Sequence, residues 1–160
     1  MKLKPLVKGA ITGALMIAVI LWMYYTGKEA DKIAQYTNFG IYALGIAWAI
    51  IDWSKSIHYT GKFGDAFQTG FKCFIMATLL MIAFTAIFNK MHPEFAEASS
   101  KMLREALISK KELPTEIDLQ VERYKNNYTI MVVYTSIFGY LIVGAAVAAV
   151  TSLLISRRKP

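Results

Sequence analysis

Apolar positions in this chain gather into four long runs separated by polar segments: Gly9 to Tyr25, Tyr36 to Trp53, Phe71 to Phe88, and Tyr128 to Ile155. A helix needs about 17 to 25 predominantly apolar residues to cross roughly 30 Å of hydrocarbon, and each run is near or above that length. None holds an ionised side chain deep inside. A helix of a soluble bundle shows a polar face, and these runs show almost none. The pattern predicts an all-α membrane protein with four transmembrane helices, at about residues 7–26, 35–53, 70–89 and 128–155. The first run begins like a secretory signal, but Trp22, Met23, Tyr24 and Tyr25 stand where a cleavage site needs small residues, so it reads as a retained span.

The segments between the runs carry their own periodicity. In "FGDAFQTGFK", Phe63, Phe67, Phe71 and Phe74 fall within an arc of roughly 80° at 100° per residue, with Asp65, Gln68 and Lys72 nearly opposite. This predicts an interfacial helix over residues 63–70 that turns into the third span near Gly70. Asp52, at the end of the second run, joins Asp65 and Lys72 as the candidate polar groups of that interface, paired with Lys72 or Lys55. Residues 89–127 are too long for a simple turn and read as helical. Phe95, Ala98, Met102, Leu103 and Ala106 share one face, and Glu97 stands four residues before Lys101. Thr115 offers a helix cap, after which Ile117, Val121, Tyr124 and Tyr128 form a stripe leading into the fourth span. A helical hairpin over 92–127 follows, with Phe95, Met102, Val121 and Tyr124 as candidate partner-docking residues.

Charge orients the spans. With an even number of crossings, one side receives Lys2, Lys4, Lys8, Lys55, Lys62, Lys72, Arg157, Arg158 and Lys159 against only Asp52 and Asp65, which accounts for the whole net charge of +7. The other side carries as many basic residues, but most lie in the long 89–127 segment, where they weigh less on orientation. Both termini are therefore assigned to the cytoplasm and the hairpin to the extracytoplasmic face. The basic rim also favours contact with anionic membrane lipids.

Small residues at four-residue spacing, Gly9 with Gly13, Gly45 with Ala49, and Gly144 with Ala148, are candidate helix-contact positions. They suit either packing within one chain or a homo-oligomer. Catalytic patterns are missing: there is no phosphate-binding loop, no His-Glu-x-x-His pair and no Gly-x-Ser-x-Gly elbow. The single cysteine, Cys73, lies in the third run and reads as a small buried hydrophobe. His58 and His92 fall at opposite ends of that span, too far apart to share a metal. No catalytic residue, metal, cofactor or nucleic-acid partner is called for.

"FGDAFQTGF" before a span, "KGAITGALMIAVIL" near the start, "HPEF" after the third run and "AAVTSLLISRRK" at the end resemble a family of small four-span bacterial membrane proteins, a domain-of-unknown-function family. The resemblance implies the fold and a bacterial inner membrane, and supplies no mechanism. The resulting expectation is a non-enzymatic integral membrane protein acting as an accessory or scaffold subunit, with a protein partner or a second copy of itself. The alternative is a small oligomeric channel or carrier.

Overall fold

A computed structural model describes residues 3–27 and 32–157, with the side chains of 32–35 excluded. The connector 28–31 and the charged positions Lys2, Arg158 and Lys159 lie outside the described residues. The described chain is all-helical: α1 is Pro5–Tyr25, α2 Lys32–Ser54, α3 Phe63–Met91, α4 Glu94–Ser109 and α5 Pro114–Ser156. Residues 1–81 with 137–160 make one compact unit and residues 82–136 a second.

The local chemistry sets the helix ends. Pro5 opens α1, where its missing N–H is one that the first turn leaves unbonded anyway. At the far end, the Thr26 hydroxyl donates to the Trp22 carbonyl at 2.8 Å, and Gly27 takes a φ of 65° that stops the helix. Before α3, the Thr60 N–H and hydroxyl both donate to the Asp65 carboxylate, at 3.2 and 3.3 Å. Asp65 is thus a local clasp on the start of α3.

α3 corrects one expectation. It runs unbroken from Phe63 to Met91, so residues 63–70 are its first two turns rather than a separate helix that bends at Gly70. Gly70 keeps its place because of space: a Cβ there would meet Ile50 Cδ1 at 2.7 Å and Ala148 Cβ at 3.0 Å. The phenylalanine stripe also divides. Phe63 and Phe71 are exposed, while Phe74 is buried in the core.

In the first unit, the core gathers Met16 of α1, Tyr42, Ile46 and Ile50 of α2, Phe74, Ala77 and Met81 of α3, and Ala148 of α5. Polar side chains share this interior: Lys8, Thr12, Asn38, Thr69, Thr78 and Ser152 are all buried. Large apolar side chains such as Leu15, Leu44, Leu79 and Ile142 point outward. Water would favour the reverse distribution, and a hydrocarbon surround favours this one. Among the described residues, α1, α3 and α5 are long and apolar enough to cross a membrane. α2 falls outside that set, with Asn38 and Asp52 standing in its sequence.

In the second unit, α4 is tied to the start of α5. Lys111 has a φ of 59°, its N–H donates to the Ile108 carbonyl at 2.9 Å, and the Glu112 N–H reaches the Leu107 carbonyl at 3.4 Å. That is the Schellman arrangement, and it turns the chain back at once. α5 then begins at Pro114, with the N–H groups of Glu116 and Ile117 on the Leu113 carbonyl. Proline at the first helical position sets this start, one residue ahead of the Thr115 cap read from sequence. Arg104 pairs with Asp118 at 2.7 Å and Lys125 with Glu97 at 3.0 Å, while Leu107 and Ile117 are buried beside the turn.

Candidate functional site

Two polar clusters stand in the interior of the first unit. At the level of Tyr42, which is 0% exposed, the phenol donates to the Tyr140 carbonyl at 3.0 Å and lies 2.9 Å from the Thr78 hydroxyl. The phenol has one proton, so with that proton on the carbonyl it is Thr78 that donates to Tyr42. Gly144 makes the approach possible. A Cβ there would lie 2.5 Å from the Tyr42 hydroxyl and 2.8 Å from Phe74 Cγ. The remaining small residues are also used inside the unit: Gly9 lies against the Cys73 carbonyl, Gly13 against Leu80 and Ala77, and Gly45 against Thr12. Ala49 is buried, and Ala148 touches the Gly70 position. Cys73 donates from its thiol to the Gly45 carbonyl at 3.6 Å.

The second cluster lies where α1 starts and α2 ends. The Lys8 ammonium is buried to 2% exposure, forms an ion pair with the Asp52 carboxylate and sits 4.9 Å from the centre of the Trp48 ring. One turn on, the Thr12 hydroxyl donates to the Lys8 carbonyl at 2.8 Å. Sequence reasoning counted Lys8 only as a basic rim residue and paired Asp52 with Lys72 or Lys55. Two signals pointed to Lys8. It shares a helical face with Thr12 and Met16, and it immediately precedes Gly9, where α1 meets α3. A groove of about 450 Å³ opens beside this pair, with Lys4, Lys55, Trp53 and His58 among its walls. Lys72 is exposed on α3 and is not part of that groove. In the segment between α2 and α3, burial and then the Asp65 carboxylate push the Tyr59 phenol above its ordinary pKa.

A model of a protein family described as "Protein of unknown function (DUF4199)" matches residues 8–157. The chain belongs to this family. The match covers both clusters, both units and all but the first turn of α1. No curated protein and no solved structure matches the chain. The DUF4199 helices are compatible with a membrane protein: three described helices have the length and composition for it.

In the second unit, the candidate docking residues separate. Met102 is 64% exposed, whereas Phe95, Val121 and Tyr124 are half-buried. Phe95 lies 5.8 Å from Phe88, and Tyr124 lies edge-on to Tyr128 at 5.9 Å. Glu97 bonds Lys125 across the turn rather than relying on Lys101. That hydrogen bond, with the charge behind it, holds the Glu97 carboxyl below its ordinary pKa. Among the described residues, no group of three His, Cys, Asp or Glu side chains is gathered to hold a metal.

Proposed function

We propose that this DUF4199 chain is a non-enzymatic, four-span protein of a bacterial inner membrane, with both termini cytoplasmic, that acts as an accessory or scaffold subunit of a membrane complex. In this reading α2 is the fourth span. The residues that dilute its apolar character are those it turns inward or pairs, Asn38 in the core and Asp52 on Lys8, while Phe39, Leu44, Trp48 and Ile51 face out. A hydrocarbon surround tolerates polar residues that face the bundle interior, as Asn38 does, or are paired there, as Asp52 is.

The observation that carries the scaffold role is the length of α5. It has 43 residues, and 14 of them, residues 114–127, stand ahead of the fourth apolar run as helix. That segment, strapped to α4 by two ion pairs, makes the second unit a folded helical hairpin that serves as the extramembrane platform in this reading. Met102 and Leu119 are exposed on it as contact candidates for a protein partner or a second copy. Native electrophoresis of detergent extracts tests this. Replacing residues 94–127 with a short flexible linker is expected to shift the protein from a large complex to its own detergent-bound mass, with membrane insertion kept.

The channel or carrier reading draws on the buried polar groups Lys8, Thr12, Asn38, Thr78 and Ser152. Solute or proton flux in proteoliposomes that is lost in Asp52→Asn, with migration on native gels unchanged by the linker variant, would favour it over the scaffold.

A further inference from the structure

We propose that the groove at the Lys4 end of the first unit binds the phosphate-bearing headgroup of an anionic phospholipid. The site rests on the membrane reading above and adds to it a specific lipid. The groove has room for a headgroup, at about 450 Å³, and its walls combine cationic and apolar groups. Three lysines, Lys4, Lys8 and Lys55, face it against a single carboxylate, Asp52. Whatever pairs form among them, three lysines against one carboxylate leave the lining with a positive balance, and Lys4 and Lys55 are exposed.

A second, independent feature points to an acceptor. Trp53 forms part of the same wall, and its indole N–H is buried with no hydrogen-bond acceptor among the described residues. A buried donor of this kind is normally satisfied, and in this proposal the indole turns its N–H toward the groove to meet a phosphate or glycerol ester oxygen. Leu3 and Ile57, both exposed apolar residues of the groove, supply the surface against which the first acyl carbons would lie. Cationic pockets between membrane helices on the cytoplasmic side are suited to anionic headgroups, because each lysine within a Debye length adds Coulombic attraction that zwitterionic lipids do not gain.

The test is native mass spectrometry of the full-length, purified protein, delipidated and offered an equal mixture of phosphatidylglycerol and phosphatidylcholine. The wild type is expected to retain phosphatidylglycerol at least about fivefold over phosphatidylcholine, the scale of one lysine at a membrane surface. Lys4→Gln with Lys55→Gln, both exposed positions, should erase most of that preference with helicity unchanged, while Lys72→Gln should keep it. Equal retention of the two lipids, or a preference that survives the double variant, would overturn the site. Displacement of the lipid by low-millimolar inorganic phosphate would also overturn it and assign the groove to free phosphate. Recovery of the wild type in the soluble fraction without detergent would fail the membrane reading itself, and the lipid site with it.

Discussion

Gly144 and Lys8 show what single residues do in this fold. The absence of a side chain at Gly144 lets the Tyr42 phenol reach a carbonyl of α5, a contact between residues 98 apart in sequence. Gly144→Val is expected to destabilise the protein by about 1–3 kcal/mol through overpacking, read as a drop in thermal melting in detergent. Gly139→Ala, where nothing lies within 4 Å, should be neutral or gain up to about 1 kcal/mol. Lys8 is held by Asp52, whose side chain is 31% exposed, so Asp52→Asn should cost about 2–3 kcal/mol, somewhat less than a fully buried pair. Lys8→Met combined with Asp52→Asn should recover most of that loss, because no buried charge is then left alone. The small residues were legible as a spacing pattern. The burial of Lys8 was harder to read, because its partner is 44 positions away and the face it shares with Thr12 and Met16 does not name that partner.

Among the elements, the helices themselves were legible because their apolar runs are long, and their ends were less so. The α4–α5 turn depends on Lys111, a side-chain-bearing residue at a φ of 59° that no turn signal in the sequence marks. Lys111→Gly is expected to stabilise this turn by about 0.5–1 kcal/mol, measurable as slower hydrogen exchange in residues 94–109. The face of α4 was misjudged by part of a turn. Ser100 and Leu107 are buried and Met102 is exposed, because pairing with Asp118 and Lys125 of α5 fixes its rotation. The Glu97 carboxyl is held below its unfolded value, so its pairing with Lys125 contributes above the ordinary carboxylate range and is lost as pH falls through the lowered pKa. Hydrogen exchange of α4 should therefore quicken, relative to Glu97→Gln, only on acidification below that range. An unchanged difference down to the lowest pH would show that the pair does not hold the element.

At the scale of the whole molecule, the proposed topology has four helices crossing the membrane and residues 94–127 outside it. Hydropathy carried α1, α3 and α5 plainly and left α2 marginal, since a linear average cannot know that Asn38 is buried and Asp52 is paired. The direct measurement is single-cysteine labelling in a Cys73→Ala background, with a membrane-impermeant maleimide applied to intact cells and then to permeabilised ones. With four spans, cysteines at Thr26 and Lys101 label in intact cells, and one at Lys62 labels only after permeabilisation. If α2 does not cross, Thr26 and Lys62 will label from one side and Lys101 from the other, and that result would contradict the account.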